Sequence, residues 1–297
     1  MGVAKQEAIN QFFQERLAGS HWLAYRLASL RHYELDFIID NSRSMDIRDG
    51  MKDPETGRKM SRLEEAVYRL EQIAKIVSWI DVKGIRLRTL SQGFKPYIVQ
   101  TDISPENTER EIRGYLEEVM AKERARSTPL LGALTRSIVE EATTHPRIIY
   151  VLNDGMPTCS QSSGDGAVRQ IRQLLADRPD EQYPICLIAC TDDEDSIAWM
   201  NEVDDLPSIH VVDDYQAEKK EVLAVQGEAF PFNEGFYLLS TLLGPIDPLF
   251  DRADESHVYD RADYEEIVGR RVSDREYRNY CNEAARLQSW CPQCTVL

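Results

Sequence analysis

The stretch Glu34-Leu-Asp-Phe-Ile-Ile-Asp-Asn-Ser-Arg-Ser-Met45 begins as a short apolar run and ends in polar residues with oxygen-bearing side chains. Its first half predicts a strand buried on both faces, because the run is short, β-prone and bounded by polar residues. Asp40, Ser42 and Ser44 follow where that strand stops. Ligands bind at this edge of open α/β sheets, and three small oxygen-bearing side chains suit a hard divalent cation. The alternative is that a serine only caps the next helix and Asp40 only ends the strand.

Two later segments carry residues of the same kind. In Arg126-Ser-Thr-Pro-Leu-Leu-Gly-Ala-Leu134, Thr128 precedes a proline and an apolar helix, which by itself predicts a helix N-cap followed by proline. The segment Ile148-Ile-Tyr-Val-Leu-Asn-Asp-Gly-Met-Pro-Thr158 predicts a second buried strand that ends in Asp154-Gly155. By itself an Asp-Gly pair after a strand usually indicates a turn.

In chain order the three segments are Asp-x-Ser-x-Ser, then Thr-Pro, then a strand ending in Asp-Gly-x-Pro. This combination resembles the von Willebrand factor A (VWA) domain and its metal-ion-dependent adhesion site, over residues 33–245. The resemblance implies that five residues surround one Mg²⁺ or Mn²⁺: Asp40, Ser42, Ser44, Thr128 and Asp154. The family usually has glycine where this chain has Arg43. That position is not a ligand in the family, so the implied site is kept, and a long cation beside the metal would alter which partner fits.

Strands and helices alternate along most of the chain, which predicts an α/β fold with a mostly parallel sheet and right-handed crossovers. Residues 84–90 and 97–100 predict a hairpin whose second, more polar strand suits a sheet edge, and the VWA family has an antiparallel edge strand here. The resemblance therefore implies a doubly wound, Rossmann-like sheet with helices on both faces. The predicted organisation has three parts: an N-terminal helix over 1–32, the VWA domain over 33–245, and a helical extension over 246–297.

The chain of 297 residues carries a net charge of −16. This charge disfavours nucleic acid, whose phosphates would be repelled, and favours cations or basic partners. Acidic residues at 192–195 and 213–214 follow two further predicted strands, so they would share the edge of Asp40 and Asp154. One interpretation is helix capping and solubility. The other is an acidic rim that draws a cation to the site and selects basic segments of a partner.

The sequence has no apolar run of eighteen residues and no charged-then-apolar leader, which predicts neither a membrane span nor the usual secretory route. The six cysteines form no regular framework, and Cys186 and Cys190 lie on an apolar predicted strand, where they are expected to be small hydrophobic residues in a reducing compartment. We therefore expect a cytoplasmic protein.

The last residues, Cys294-Thr-Val-Leu297, loosely fit the pattern for prenylation of a C-terminal cysteine, and Cys291 would be the site of a second, palmitoyl anchor. Such a tail would attach the protein to the cytoplasmic face of a membrane. Two alternatives stay open: a zinc site at the Cys-x-x-Cys pair, and an unmodified tail.

The sequence does not favour an enzyme. Its five histidines are scattered, none stands beside a serine or cysteine in a nucleophile elbow, and no phosphate-binding glycine loop follows a strand. The function predicted from the resemblance is metal-dependent binding of a protein whose acidic side chain completes the coordination. The alternative is a metal-dependent phosphohydrolase-like enzyme.

Overall fold

A computed structural model describes most of the chain, and these residues form two compact units. One unit, here called the sheet unit, is Ser29–Asp214; the other, the terminal unit, combines Met1–Ala28 with Tyr215–Leu297. The division into parts at 1–32, 33–245 and 246–297 stays a prediction about domains. The described residues are 3–16, 20–53, 56–90, 95–100, 104–122, 124–141, 143–158, 164–191, 193–255 and 257–290.

The sheet unit contains one six-stranded sheet with the order β3-β2-β1-β4-β5-β6. Its strands are β1 (Glu34–Ile39), β2 (Gly84–Thr89), β3 (Tyr97–Val99), β4 (Arg147–Asn153), β5 (Ile185–Ala189) and β6 (Ile209–Val212). Every neighbouring pair is parallel except β2 and β3, so β3 is an antiparallel edge strand. The predicted α/β class, with a mostly parallel, Rossmann-like sheet and one antiparallel edge strand, is confirmed.

Eleven α-helices lie within the described ranges. They are α1 (Val3–Arg16), α2 (Arg62–Ser78), α3 (Pro105–Ala121), α4 (Leu130–Thr135), α5 (Asp165–Asp177), α6 (Glu194–Asn201), α7 (Tyr215–Gln226), α8 (Glu234–Leu243), α9 (Pro248–Asp251), α10 (Arg261–Ile267) and α11 (Asp274–Trp290). Shorter 3-10 segments span His21–His32, Arg43–Asp46 and Gly244–Ile246, and a π-helical turn, Arg136–Glu140, continues α4.

The central strands are buried on both faces. All seven residues of β4 and all five of β5 are buried, which is the pattern of parallel strands covered by helices on each side. On one face, apolar side chains of α4, α5 and α6 pack with those of β1, β4 and β5 in a single core cluster. Between the two central strands, the Phe37 and Tyr150 rings stack with centroids 4.8 Å apart.

The prediction of one continuous N-terminal helix over residues 1–32 is wrong. Helix α1 ends at Arg16, and a separate 3-10 helix begins at His21. Between them Ser20 has a φ of 57°, which an α-helix of L-residues cannot contain without strain. The Ser20 hydroxyl donates to Asn233 Oδ1 at 3.2 Å, so this break is fixed by a contact inside the terminal unit.

The structure describes some of the cysteines about which the sequence made predictions. Cys186 is buried on β5, and Cys190, which follows β5 directly, is half-buried; both are thiols. Cys291 and Cys294 lie outside the described residues, so the proposed lipidation and its zinc alternative stay predictions. No helix in the ranges given above is long and apolar enough to cross a bilayer.

A buried ionic cluster ties β1 to β2 and to the helix before β4. Arg88 on β2 makes two hydrogen bonds to Asp36 on β1, at 3.0 and 2.6 Å, and both side chains are fully buried. Ser137 donates to Asp36 Oδ2 at 2.6 Å, and Glu141 pairs with Arg88 at 2.9 Å. Both oxygens of Asp36 are thus engaged, as burial of a charge requires.

We predict that Asp36→Ala destabilises the sheet unit by about 3 kcal/mol or more, because it leaves the buried Arg88 cation without its bidentate partner. Urea unfolding monitored by circular dichroism measures the loss. The matched control is Asp205→Ala, which breaks a surface pair with Arg172 whose side chains are 67% and 39% exposed and should cost less than about 1 kcal/mol. Equal losses in the two variants would contradict the assignment.

Candidate metal centre

The predicted site lies where the strand order of the sheet reverses. The chain runs from β1 outward to β2 and β3 on one side, whereas β4, β5 and β6 extend the sheet on the other. Asp40 follows β1 and Asp154 follows β4, and these two strands are parallel neighbours. The Asp40 backbone N–H donates to the Leu152 carbonyl at 2.8 Å, so the pairing continues up to the site. Ligands of open α/β sheets bind at such a crossover.

The two serines after Asp40 connect the two carboxylates. The Ser42 N–H donates to Asp40 Oδ1 at 2.7 Å, and the hydroxyl oxygens of Ser42 and Ser44 lie 2.9 Å apart. The Ser44 hydroxyl donates to Asp154 Oδ1 at 2.9 Å. Ser42 occupies the cap position of the 3-10 turn, but its side chain makes no capping hydrogen bond. The interpretation of these serines as simple helix caps is therefore wrong.

Thr128 is not the N-cap residue that its position before Pro129 predicted. Helix α4 begins at Leu130, with Pro129 in the cap position. Thr128 is buried, and its backbone is fixed by Thr158, whose hydroxyl accepts from the Thr128 N–H at 3.0 Å and whose N–H donates to the Thr128 carbonyl at 2.7 Å. The loop before α4 is thereby tied to the loop that follows Asp154.

A further backbone contact joins the loop before α4 to the serine loop. The Ala125 N–H donates to the Asn41 carbonyl at 2.9 Å, and Ala125 forms an isolated parallel bridge with Ser42. The three loops that carry Asp40, Thr128 and Asp154 are therefore held together by main-chain hydrogen bonds. Neither Ala125 nor Thr158 was predicted from sequence to belong to the site. Ala125 contributes only its backbone, and Thr158 lies outside the motif residues.

The Asp40 carboxyl is buried and its pKa is raised. It is 1% exposed, and burial together with the nearby charge of Asp154 raises the pKa of Asp40 to about 7. The Ser42 N–H and the hydroxyls of Ser42 and Thr128 oppose this rise. Its second oxygen, Oδ2, is buried and has no hydrogen-bond partner among the described residues. A buried carboxylate oxygen without a partner fits the direct coordination of a cation.

Asp154 is buried but fully engaged. Its Oδ1 accepts from Ser44, and its Oδ2 accepts from the Arg62 guanidinium at 3.0 Å. Both oxygens already have partners. Asp154 would therefore contact a cation through a water molecule, or directly after one of these two hydrogen bonds is lost. The interpretation of Asp154-Gly155 as a turn and nothing more does not account for these contacts.

Arg62, the first residue of α2, is a site residue that sequence reasoning missed. Its guanidinium bonds both Asp154 and Asp49, the latter at 2.6 Å, with a side chain only 8% exposed. These hydrogen bonds hold the pKa of Asp49 below its ordinary value. Arg43, the cation expected beside the metal, is exposed. The positive charge that reaches the site comes from α2.

The described residues of the acidic segment after β5 lie at the same edge of the sheet as Asp40 and Asp154, as predicted. Asp193 and Asp195 are exposed after β5, at the start of α6. Asp193 occupies the cap position without a side-chain bond to the helix backbone, and its Oδ2 accepts from the Ser196 hydroxyl at 2.7 Å. Within the described part of the chain, no group of three or more His, Cys, Asp or Glu side chains is placed to hold a metal. A cation at the predicted site would thus depend on hydroxyl and water ligands as well as on two carboxylates.

No protein-family model matches the chain, and no curated protein matches it significantly. Among solved structures, the PilB minor pilin from Streptococcus sanguinis is similar with a TM-score of 0.48 and 13% identity, over 64% of this chain and 59% of the pilin. A D319A mutant of that pilin gives 0.47 and 13%, over 77% and 64%. A conserved hypothetical protein, BatB from Bacteroides thetaiotaomicron, gives 0.40 and 16%, over 63% and 94%. This chain spans less than two thirds of either pilin chain, and no function is transferred at this similarity.

In the presence of a chelator, we predict that Asp40→Asn stabilises the protein near neutral pH. Below about pH 4 the Asp40 carboxyl of the wild type is protonated in both the folded and the unfolded state. Between about pH 4 and pH 7 this carboxyl ionises only in the unfolded state, so the wild type loses stability as pH rises. Asparagine removes this loss, which is at most about 4 kcal/mol.

Thermal or urea unfolding of both proteins from pH 4 to pH 8 tests this. The control is Asp46→Asn, which neutralises an exposed carboxylate of the same loop, paired with Arg124. A wild-type-minus-variant difference that stays flat across this interval for Asp40→Asn would show that the buried carboxyl is not perturbed as described.

Proposed function

We propose that this chain is a divalent-metal-dependent protein-binding module of the VWA type. Asp40, Ser42, Ser44, Thr128 and Asp154 surround one Mg²⁺ or Mn²⁺, and an acidic side chain of a partner protein completes the coordination. The observation that carries this proposal is the unpartnered, buried Oδ2 of Asp40, which lies within a group of small oxygen-bearing side chains at the crossover of the sheet.

The arrangement of the hydroxyls supports the proposal. Ser42 stands at the cap position of the 3-10 turn but its side chain makes no capping hydrogen bond, and Pro129 rather than Thr128 occupies the cap position of α4. Instead Ser42 and Ser44 form a chain of short contacts from the Asp40 loop to Asp154. Carboxylate and hydroxyl oxygens held at fixed distances are hard ligands, which suit Mg²⁺ or Mn²⁺ better than softer metals.

Charge balance favours an anionic partner group. When bound, a divalent cation would supply two positive charges and coordination positions that this chain does not fill. Asp40 would then be held ionised, since a nearby positive charge favours the carboxylate. Asp154 already accepts from Arg62, so Asp40 is the site carboxylate whose charge is most directly available to the ion. The unfilled coordination positions suit a partner's Asp or Glu, and the exposed Asp193 and Asp195 suit basic residues beside it.

The second candidate is a metal-dependent phosphohydrolase-like enzyme. The same group of oxygen ligands could orient a phosphoester, but the site residues described here are carboxylates, hydroxyls and the fully paired Arg62, without a general base in an assigned position. Incubation with Mg²⁺ and generic phosphoesters distinguishes the two functions. Turnover that Asp40→Ala abolishes would favour the enzyme.

We predict that wild-type protein binds one Mg²⁺ or Mn²⁺ per chain and that Asp40→Ala abolishes this binding, because it removes the buried carboxylate oxygen that has no other partner among the described residues. Isothermal titration calorimetry on chelator-treated protein measures it. The control is Asp46→Ala, which removes a carboxylate of the same loop that is 52% exposed, and should bind like wild type. Unchanged binding by Asp40→Ala would refute the assignment.

We also predict that partner binding requires the metal. A pull-down with the wild-type protein should recover a partner in Mg²⁺, lose it in EDTA, and recover it when Mg²⁺ is restored. Asp40→Ala should recover none of it under any of these conditions. The same partner recovered equally with and without EDTA would contradict metal-bridged binding.

A further inference from the structure

Arg62 is placed inside the candidate metal centre, and its surroundings fix it there. Its backbone N–H donates to the Ile47 carbonyl at 3.0 Å, which anchors the start of α2 to the loop after the serines. Its side chain then extends to the site with all three guanidinium nitrogens engaged, Nη1 with Asp154 and Nε and Nη2 with Asp49. A side chain this buried and this fully bonded has one position.

The two acidic partners of Arg62 are not equivalent. Asp154 has a fully buried side chain and belongs to the proposed metal site, whereas the Asp49 side chain is 32% exposed and contacts none of the five proposed site residues in the described hydrogen bonds. Arg62 therefore bridges the centre and a carboxylate outside it. Its single positive charge is shared between them.

We propose that Arg62 is a resident counter-ion that opposes the divalent cation, and that Asp49 moderates this opposition. The proposal rests on the proposed metal site and adds how its affinity is set. Arg62 neutralises Asp154 when no metal is bound, so the buried carboxylate does not lack a partner. When a metal binds, the same cation repels it, and the centre has a lower affinity than its ligands alone would give.

The signs follow from electrostatics. Two like charges near one buried carboxylate disfavour each other, and the effect is strong because the site is screened little by water. Removing the Arg62 charge should therefore raise metal affinity. Removing the Asp49 charge should lower it, because Asp49 offsets part of the Arg62 charge and attracts the metal ion.

The test is a calorimetric titration of Mn²⁺ and Mg²⁺ into wild type, Arg62→Met, Arg62→Lys and Asp49→Asn. We expect Arg62→Met to bind about tenfold tighter or more, Arg62→Lys to remain within about threefold of wild type, and Asp49→Asn to bind at least about threefold more weakly. The control, Arg48→Met, removes a cation of the same loop that pairs with Glu64 and should stay within about twofold.

A second readout is the melting temperature without metal. Arg62→Met should melt lower than wild type in EDTA, because Asp154 is left buried with Ser44 as its hydrogen-bond donor, and Mn²⁺ should raise its melting temperature more than it raises that of wild type. Circular dichroism checks that each variant is folded. If Arg62→Met does not fold, the different effects expected of the two charge-specific variants still decide: Arg62→Lys, which keeps the charge, should bind like wild type, and Asp49→Asn, which removes one, should bind more weakly.

The opposite signs separate charge from structure. Arg62→Met and Asp49→Asn both break the same ion pair, so a purely structural role would shift metal affinity in the same direction in both. That result, or Arg62→Met binding no tighter than wild type, overturns the proposal and leaves the metal site intact. If neither wild type nor Arg62→Met binds either metal, the proposed function itself fails, and this proposal with it.

Discussion

Burial of a charged group without a partner is costly, and the Asp40 carboxylate is the one site residue that has an oxygen in this condition. Asp40 lies at the carboxyl end of strand β1. The Ser42 N–H donates to one of its carboxylate oxygens, and the other oxygen has no partner among the residues described. The raised pKa of Asp40 expresses the same cost. The surrounding loops keep this carboxylate buried and leave one of its oxygens free to bind a cation.

The sheet unit treats another buried acid differently, and the contrast is informative. Asp36, which lies on β1 four residues before Asp40, has both oxygens engaged by Arg88 and Ser137. A fully paired buried carboxylate supports the fold and offers nothing to a ligand. Asp154 is intermediate, since Arg62 and Ser44 use both of its oxygens, yet it shares the edge of Asp40. The pattern of pairing and the position at the carboxyl end of the strands together distinguish a structural acid from a candidate ligand.

Preorganisation comes from the backbone. The Asp40 loop, the loop before α4 and the loop after β4 are joined by hydrogen bonds through Ala125 and Thr158, so the protein itself holds the proposed ligand oxygens near one another. Preformed geometry reduces the conformational cost of binding. Arg62 adds an internal positive charge to this frame, and under our proposal an entering cation would compete with it for Asp154.

The strands and their polar ends were predictable because apolar runs, turn residues and the shared edge of parallel strands are local or general rules. That Asp40 and Asp154 share one edge of the sheet follows from those rules, whereas their meeting at one site was implied by the resemblance to the VWA domain. Contacts between distant positions did not follow: Asp36 interrupts an apolar run and pairs with Arg88, and Arg62 begins an amphipathic helix that gives no sign of Asp154.

Two local errors have physical causes as well. The N-terminal helical spacing continues across Ser20, whose positive φ is stabilised by a contact with Asn233 far along the chain. Helix α7 has no apolar stripe that would predict it, because the residues at its buried positions include Glu218 and Gln226 beside Val222. Gln226 is buried because its amide donates to the carbonyl of Ala253, a partner that a local pattern cannot contain.

The most direct test of the central claim is the position of a bound ion. Crystals grown with Mn²⁺ and measured for anomalous scattering should show one peak at the carboxyl end of β1 and β4, within coordination distance of Asp40 Oδ2 and the hydroxyls of Ser42 and Ser44. An absent peak under saturating Mn²⁺, or a peak elsewhere with Asp40 Oδ2 bonded to another protein group, would contradict the account.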